Sequence, residues 1–316
     1  MAENFSEFHD ELRSVAADLL AKSRAVDWPA LVDAGWVGLE IAEEFGGAGA
    51  TFAETAVVCE EMGRAASDSR YLGGAVLAVG ALNELVRSDT RDQLLQQVAA
   101  GTTRLAVALD STQFVPDAEG ADAILHIDGD GVRLTAATTD PQPVLDETRR
   151  LAVVESGEPI EHLRFAAADA AQRLHQRAAV AVACDSLGVA EAMLHATVEY
   201  TKVRHQFGRP IGSFQAVKHA CADMQVAISV SRQLVSAAVQ AVAHNAPDAS
   251  VATAMAKSYV TGAAVDIAGK AMQLHGGIGY TWESGIHVYL KRAALNRSLF
   301  GSPAAHRQEL AKRYRK

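Results

Sequence analysis

The sequence predicts a mainly α-helical protein with a small β region in the middle of the chain. Apolar residues recur at three- and four-residue steps in the first third of the chain and again from residue 166 to the end. Short apolar runs separated by turn residues lie between these two parts. The pattern predicts an N-terminal helical domain over 1–100, a reduced middle β domain over 101–165 and a C-terminal four-helix bundle over 166–316.

The N-terminal part is predicted to consist of helices, with a glycine-containing loop between two of them. Apolar residues from Phe8 to Leu20 recur at helical spacing, and a second periodic stretch covers 53–63. The pair Gly46-Gly47 interrupts the pattern between them, since adjacent glycines break helices. A new helix is therefore predicted to begin near Thr51.

The β part begins at 101–103, where the helical spacing of apolar residues gives way to short apolar runs. Apolar runs at 105–109, 123–127 and 132–134 are short enough for strands. The last two are separated by Asp-Gly-Asp-Gly at 128–131, and Asp-Gly supplies the positive φ that tight hairpin turns require. We expect this sheet to end by about Phe165.

The C-terminal part is rich in alanine, which lets helices pack closely side by side. Pro247-Asp248 is a plausible helix start and Gly276-Gly277 a clear helix stop. The predicted helices span 168–203, 213–245, 248–274 and 282–298.

Composition limits the function classes. The chain has 316 residues and is 49% hydrophobic, with a formal net charge of −9. An acidic protein is a poor match for the phosphate backbone, so we expect no nucleic-acid partner. The three cysteines form no CxxC pair, and neither a signal peptide nor a long uncharged apolar run is recognisable. We expect a cytoplasmic protein with no membrane partner and no metal.

Two helix corners carry the chemical signal. In the first, Arg204 ends a helix before the turn Gly208-Arg209-Pro210, where its guanidinium can reach a diphosphate. In the second, Gln273 precedes Gly276-Gly277, and adjacent glycines let a ligand approach main-chain amides. Taken alone, the first corner is explained as simply by a solvated turn between helices. The second is explained as simply by a glycine C-cap, which is common at helix ends.

Taken together, the segments RHQFGRPIGSFQ (204–215), QLHGGIGYTWE (273–283), EEFGGAG (43–49) and EEMGR (60–64) resemble the acyl-CoA dehydrogenase family in order and spacing. The resemblance implies an acyl-CoA dehydrogenase-like fold and a tetramer built from dimers. It also implies that residues of this chain contact FAD held mainly by a neighbouring subunit. The implied FAD-binding residues are Arg204, Phe207, Gln215, Gln273, Gly276 and Gly277.

The family's catalytic glutamate is missing from both positions that it occupies among family members. Phe300 stands where most members carry the base, and the apolar Ala178 matches the position used by a minority. The middle-domain segments that surround the flavin ring are not recognisable either. The resemblance is therefore to the short, non-catalytic subunits of actinobacterial heterotetrameric enzymes, and we expect no catalytic residue in this chain.

That resemblance implies a longer catalytic partner in an α2β2 assembly, an acyl-CoA substrate that is steroid-derived in some relatives, and an electron-transfer flavoprotein as electron acceptor. Two alternatives stay open: an active homomeric enzyme with a displaced carboxylate such as Glu283 or Glu191, and a flavin-free structural or regulatory subunit. A solvated helix face explains Glu191 and Asp185 equally well, and helix capping explains Glu283. Three aromatic residues, Trp36, Phe45 and Trp282, are expected to anchor packing between domains.

Overall fold

A computed structural model describes residues 6–312. The N-terminal part is helical, as the periodicity predicts, and α3 begins where Thr51 and Glu54 form a reciprocal capping box. A 3₁₀ turn lies at Glu43–Phe45, and a π-helical segment, Tyr71–Leu77, leads directly into α4. The helices are α1 (Ser6–Lys22), α2 (Trp28–Asp33), α3 (Phe52–Ala65), α4 (Ala78–Asn83) and α5 (Asp89–Ala99).

The β part consists of two small sheets with strand orders β1-β3-β4-β7 and β2-β6-β5. The predicted hairpin joins β3 to β4, and Gly129 takes a φ of 55° in its turn. Strands β1 and β3 pair in parallel, which the local sequence does not predict. The strands are β1 (Leu105–Ala108), β2 (Val115–Pro116), β3 (Ala123–Asp128), β4 (Gly131–Ala136), β5 (Thr139–Gln142), β6 (Leu151–Val154) and β7 (Pro159–Arg164).

The C-terminal part contains the four predicted helices and one more. Helix α10 was not predicted, although Ser302 caps it and Pro303 is its first residue, a common pairing at helix starts. A two-residue hairpin, β8 (His205–Gln206) and β9 (Arg209–Pro210), separates the first two helices. The helices are α6 (Ala170–Val203), α7 (Gln215–Ala243), α8 (Ala249–His275), α9 (Ile286–Ser298) and α10 (Pro303–Lys312).

Helix α6 crosses α3 in backbone contact through two glycines. A Cβ added at Gly63 would lie 1.9 Å from the main-chain oxygen of Asp185, and one added at Gly188 would lie 1.9 Å from that of Glu60. No side chain fits at such a separation. The crossing therefore fixes the bundle against the N-terminal helices and places α6 at the centre of the molecule.

Helices α6 and α7 are each long and apolar enough to span a membrane, judged by length and composition only. They differ in burial, because 83% of the apolar window of α6 is buried but only 33% of that of α7. Helix α6 is thus a core helix. Helix α7 leaves much of its surface, including Val226 and Val230, exposed in the single chain.

Candidate functional site

Arg204 lies where α6 ends. Its main-chain N–H donates to the carbonyl of Tyr200 at 2.9 Å, and its carbonyl accepts from the N–H of Ile211 at 2.8 Å, which closes the β8–β9 hairpin. The side chain is exposed, and it forms no ion pair with any of residues 6–312. The backbone at this corner is fixed while the guanidinium is available to a ligand.

Phe207 occupies the turn of the same hairpin in an unusual conformation. Its φ is 51°, in the left-handed region, and its side chain is 91% exposed. The ring is T-shaped to that of Phe214, at 6.2 Å between centroids, while the guanidinium of Arg209 covers Phe214 from 4.0 Å. Gln215 follows as the exposed first residue of α7. An exposed aromatic ring on a strained backbone is typical of a contact surface.

The second corner closes α8. Gly276 ends the helix with a φ of 62°, and Gly277 follows it in a 3₁₀ turn. A Cβ on either glycine would meet no atom within 4 Å, so the main chain is open to an approaching ligand. Gln273 is exposed, and its side-chain oxygen accepts a hydrogen bond from Lys270 at 3.0 Å.

The structure brings the two corners together. Tyr200, one turn before Arg204, stacks on His275 at a centroid distance of 4.4 Å and an interplanar angle of 22°. The C-terminal ends of α6 and α8 therefore lie side by side at one end of the bundle. We call the surface that they form the corner surface: Arg204, Phe207, Gln215, Gln273, Gly276 and Gly277.

Phe300 lies at a different place, in the turn between α9 and α10. It has a φ of 53°, and its carbonyl accepts a hydrogen bond from His306 at 2.9 Å. The buried ammonium of Lys257 donates to the neighbouring carbonyl of Gly301 at 2.7 Å. Phe300 borders a groove of about 460 Å³, which we call the Phe300 groove.

Two carboxylates line the Phe300 groove. Asp110 follows β1 and pairs with His175 of α6 at 3.2 Å, and Glu309 is contributed by α10. Neither residue was selected from the sequence, because neither lies in a recognisable motif. Only the fold brings the two carboxylates to one groove. They share this groove with Phe300, the position where most family members carry the base.

The second position for a base lies in the core. Ala178 is fully buried, and its neighbour Arg177 forms a buried ion pair with Glu40 in which the Nη1 to Oε2 distance is 2.7 Å. Arg177 also donates from Nε to the carbonyl of Val76 at 2.6 Å. This position is filled by the chain's own side chains and offers no proton acceptor of the kind expected.

Asp185 is not on a solvated helix face, so that interpretation was wrong. It is fully enclosed, and Arg292 donates to its two oxygens at 3.0 Å and 2.6 Å. Arg149 donates at 3.0 Å and Asn296 at 2.6 Å. Burial acts to raise the pKa of Asp185, but the charges of Arg292 and Arg149 outweigh it and hold that pKa below its usual value. These four residues form the Asp185 cluster, a structural core.

The remaining acidic candidates are also accounted for. Glu191 pairs with Arg64 at 2.6 Å and with Arg232, so the solvated-face interpretation was wrong for this residue too. Glu283 is exposed, and hydrogen bonds from its own main chain and from Thr281 lower its pKa. Trp282 is 70% exposed, so the prediction that it anchors domain packing was wrong.

Comparison with known proteins identifies the family. The N-terminal domain of acyl-CoA dehydrogenases matches residues 1–102 and the C-terminal domain matches residues 167–314. Acyl-CoA dehydrogenase IpdE2 of Mycobacterium tuberculosis is 39% identical over 289 residues, covering 90% of this chain and 86% of the relative. The chain belongs to the acyl-CoA dehydrogenase family. It is therefore an oxidoreductase by family, and the fold class and resemblance predicted from its sequence are confirmed.

Two solved structures share this acyl-CoA dehydrogenase fold over almost its whole length. One is a variant of the Tcur3481-Tcur3483 steroid acyl-CoA dehydrogenase, with a TM-score of 0.88, 25% identity and 98% coverage of both chains. The other is the ChsE4-ChsE5 complex from Mycobacterium tuberculosis, with a TM-score of 0.85, 23% identity and 96% coverage of both chains. The second likeness concerns the fold alone.

FAD is the cofactor of this family and, by membership, of this chain. The corner surface fits part of it. An exposed guanidinium without an acidic partner in the described chain suits a diphosphate, and two glycines with open space on the Cβ side let a ligand approach the main chain closely. The assignment of individual corner residues to FAD stays a prediction.

Proposed function

We propose that this chain is the non-catalytic subunit of a heteromeric, flavin-dependent acyl-CoA dehydrogenase and that its corner surface completes the FAD site of a longer catalytic subunit. One observation carries the proposal: the corner surface and the Phe300 groove lie far apart in the same chain. At about 1.5 Å per residue, the axial distance from His175 to Arg204 along α6 is roughly 44 Å. The corner surface thus serves a site other than this chain's own groove.

The residues of the corner surface would bind and orient the cofactor. Arg204 would offer its guanidinium to phosphate oxygens, Gln273 would donate and accept through its amide, and Phe207 would cover an apolar surface. A cofactor held there would supply the acceptor for the hydride that leaves Cβ of the acyl group as a base removes the Cα proton. The partner subunit would supply that base, because Phe300 has no ionisable group.

The substrate class and the partner are supported by relatives. One structural neighbour is described as a steroid acyl-CoA dehydrogenase, and both neighbours above are described by two component names. We propose an α2β2 assembly acting on an acyl-CoA, in which a steroid-derived acyl group is the leading candidate. An electron-transfer flavoprotein would take the electrons, and the complex would be cytoplasmic.

The test is co-expression with a candidate longer homologue, followed by measurement of native mass and FAD content per pair of chains. In the complex, Arg204→Ala should weaken FAD binding by roughly tenfold or more, since a charge-assisted contact is lost. Arg307→Ala, an exposed arginine on α10, is the matched control and should change nothing. Unaltered FAD affinity in the Arg204→Ala complex would instead support a flavin-free structural or regulatory role.

A second candidate function is an active homomeric enzyme with a displaced base. The Phe300 groove favours it, because Asp110 and Glu309 line that groove. This candidate predicts that the chain purified alone holds FAD that an acyl-CoA bleaches. Glu309→Gln or Asp110→Asn should then abolish bleaching, whereas the shared-site proposal predicts no bleaching in the unaltered chain.

A further inference from the structure

A separate cavity lies away from both the corner surface and the Phe300 groove. It has a volume of about 500 Å³ and is bordered by the end of α1, the start of α2, the segment before the π-helix and two positions of the β part. Four cationic side chains and two carboxylates line it, an excess of positive charge in a chain of net charge −9. The cationic residues are Lys22, Arg70, Arg104 and Arg150.

Three buried donors around this cavity have no acceptor among residues 6–312. They are the indole N–H of Trp28 and the Nε–H groups of Arg70 and Arg104. Buried donors are almost always paired, and each unpaired one destabilises the folded chain. These three donors add their partial positive charge to that of the cationic side chains, which favours an anion as the ligand of the cavity.

The nearby carboxylates do not satisfy these arginines. Asp68 accepts from Arg150 at 2.8 Å, but its distance from Arg70 is 3.9 Å. Glu119, outside the lining, is 3.6 Å from Arg70. Burial first, and then the positive charge of Arg70, lowers the pKa of Arg104, so the two like-charged guanidinium groups repel each other, while the carboxylates of Asp117, Asp122 and Glu119 act against that shift.

Two hydrogen bonds hold Arg104 in place. Arg104 donates from its main-chain N–H to Asp122 at 2.7 Å and from Nη2 to the carbonyl of Glu119 at 2.6 Å. A Cβ on Gly120 would lie 2.6 Å from that same Nη2. The guanidinium of Arg104 is thus fixed beneath a glycine turn, with its Nε–H left over.

We propose that this cavity binds the phosphoryl group of a small-molecule ligand. Guanidinium forks match tetrahedral phosphate oxygens, and convergent arginines that repel one another are stabilised by an anion placed between them. The cavity is larger than a single phosphate, and Leu19 and Val26 give it an apolar wall for the rest of the ligand. The inference goes beyond the proposed function, because none of these residues belongs to the corner surface.

The test is titration calorimetry on the full chain without FAD, at constant ionic strength set by sodium chloride. Inorganic phosphate, pyrophosphate and adenosine 3′,5′-bisphosphate are the three probes. Saturable binding of phosphate or pyrophosphate supports the site and indicates a free anion as its ligand. Binding of the nucleotide at least tenfold tighter than either supports the site with a nucleotide phosphate as its ligand.

Variants locate the binding. Arg70→Gln and the half-exposed Arg150→Gln should each weaken binding by roughly tenfold, since each removes a charge-assisted donor. Having two variants keeps the test valid if one fails to fold. Arg307→Gln should change nothing.

Three outcomes overturn the proposal. They are absence of heat from every probe, binding that both cavity variants leave unchanged, and binding that Arg204→Ala abolishes while Arg70→Gln does not. The last would place the anion at the corner surface and leave the proposed function intact.

Discussion

The corner surface and the Asp185 cluster both depend on arginine, but only the cluster has its partners inside the chain. Arg292 and Arg149 converge on one buried carboxylate, and Arg292 also donates to the carbonyl of Ser67 at 3.0 Å. Arg204 is exposed and forms no ion pair within residues 6–312. The difference teaches where each region acts: the cluster stabilises the fold of one chain, whereas the corner surface, in the function that we propose, would gain its contacts in a complex.

The largest expected effect comes from breaking the cluster. Asp185→Asn keeps the shape of the side chain but leaves two buried guanidinium groups without their counter-charge. Removing one partner of a buried ion pair costs about 3 to 5 kcal/mol of unfolding free energy. Urea unfolding of the chain alone measures it.

The control for this change is Glu199→Gln, which removes an exposed partner of Lys202. It should alter the unfolding free energy by less than about 1 kcal/mol. If Asp185→Asn and the control had equal effects, the cluster would not be the stabilising centre described here.

The second effect concerns Lys257, whose ammonium is fully buried and, within residues 6–312, donates only to main-chain carbonyls. Burial lowers the pKa of this lysine to about 8. The unfolded chain, with an ordinary lysine, binds more protons than the folded chain between that value and about 10.4. Unfolding free energy should therefore rise with pH across this window, by up to about 3 kcal/mol.

Comparing the chain with Lys257→Met isolates this slope from other titrating groups. Burial lowers the pKa of the neighbouring His306, so this group titrates below the window. The variant should lose the rise between about pH 8 and 10 when unfolding is followed at each pH. A variant with the original slope would mean that Lys257 keeps its proton across this window in the folded chain as in the unfolded one, so that burial does not lower its pKa.

A matched pair of glycine substitutions sharpens the comparison at intermediate size. Gly188→Ala places a methyl group 1.9 Å from the carbonyl of Glu60 and should lower unfolding free energy by about 1 to 3 kcal/mol. Gly277→Ala meets no atom within 4 Å and should leave the stability of the chain unchanged. In the complex, Gly277→Ala should weaken FAD binding more than Gly188→Ala does, because the added methyl obstructs the open main chain at Gly277. Thermal unfolding and FAD titration measure the two properties.

Much of the fold could be predicted because its signals are local. Glycine and proline mark the ends of helices, and apolar spacing marks their lengths, so α6 to α9 lie close to the ranges expected. Both helix corners were also visible, since each is a contiguous segment. Their proximity was not, because the stacking of Tyr200 on His275 joins residues of two different helices.

What the sequence could not predict is pairing over long distances. Glu40 and Arg177 are 137 positions apart, and the parallel pairing of β1 with β3 has no local signature. Asp185 did carry a signal, because a single acidic residue within the apolar run 178–190 is typical of a buried ion pair. Trp282 was misplaced because its aromatic type alone does not distinguish a ring that is 70% exposed from one buried in a core.

The smallest effect tests the strain at the corner surface. Phe207 has a φ of 51°, a conformation that glycine adopts more readily than any residue with a side chain. Its exposed ring contributes little to the fold. Phe207→Gly removes that strain but increases the freedom of the unfolded chain, so the net gain in unfolding free energy should be about 0.5 kcal/mol. FAD binding in the complex should weaken at the same time. If the variant chain is more stable alone but binds FAD more weakly in the complex, the fold tolerates strain at Phe207 because the ring makes a contact outside the chain. If the variant chain is less stable, Phe207 is an ordinary structural residue.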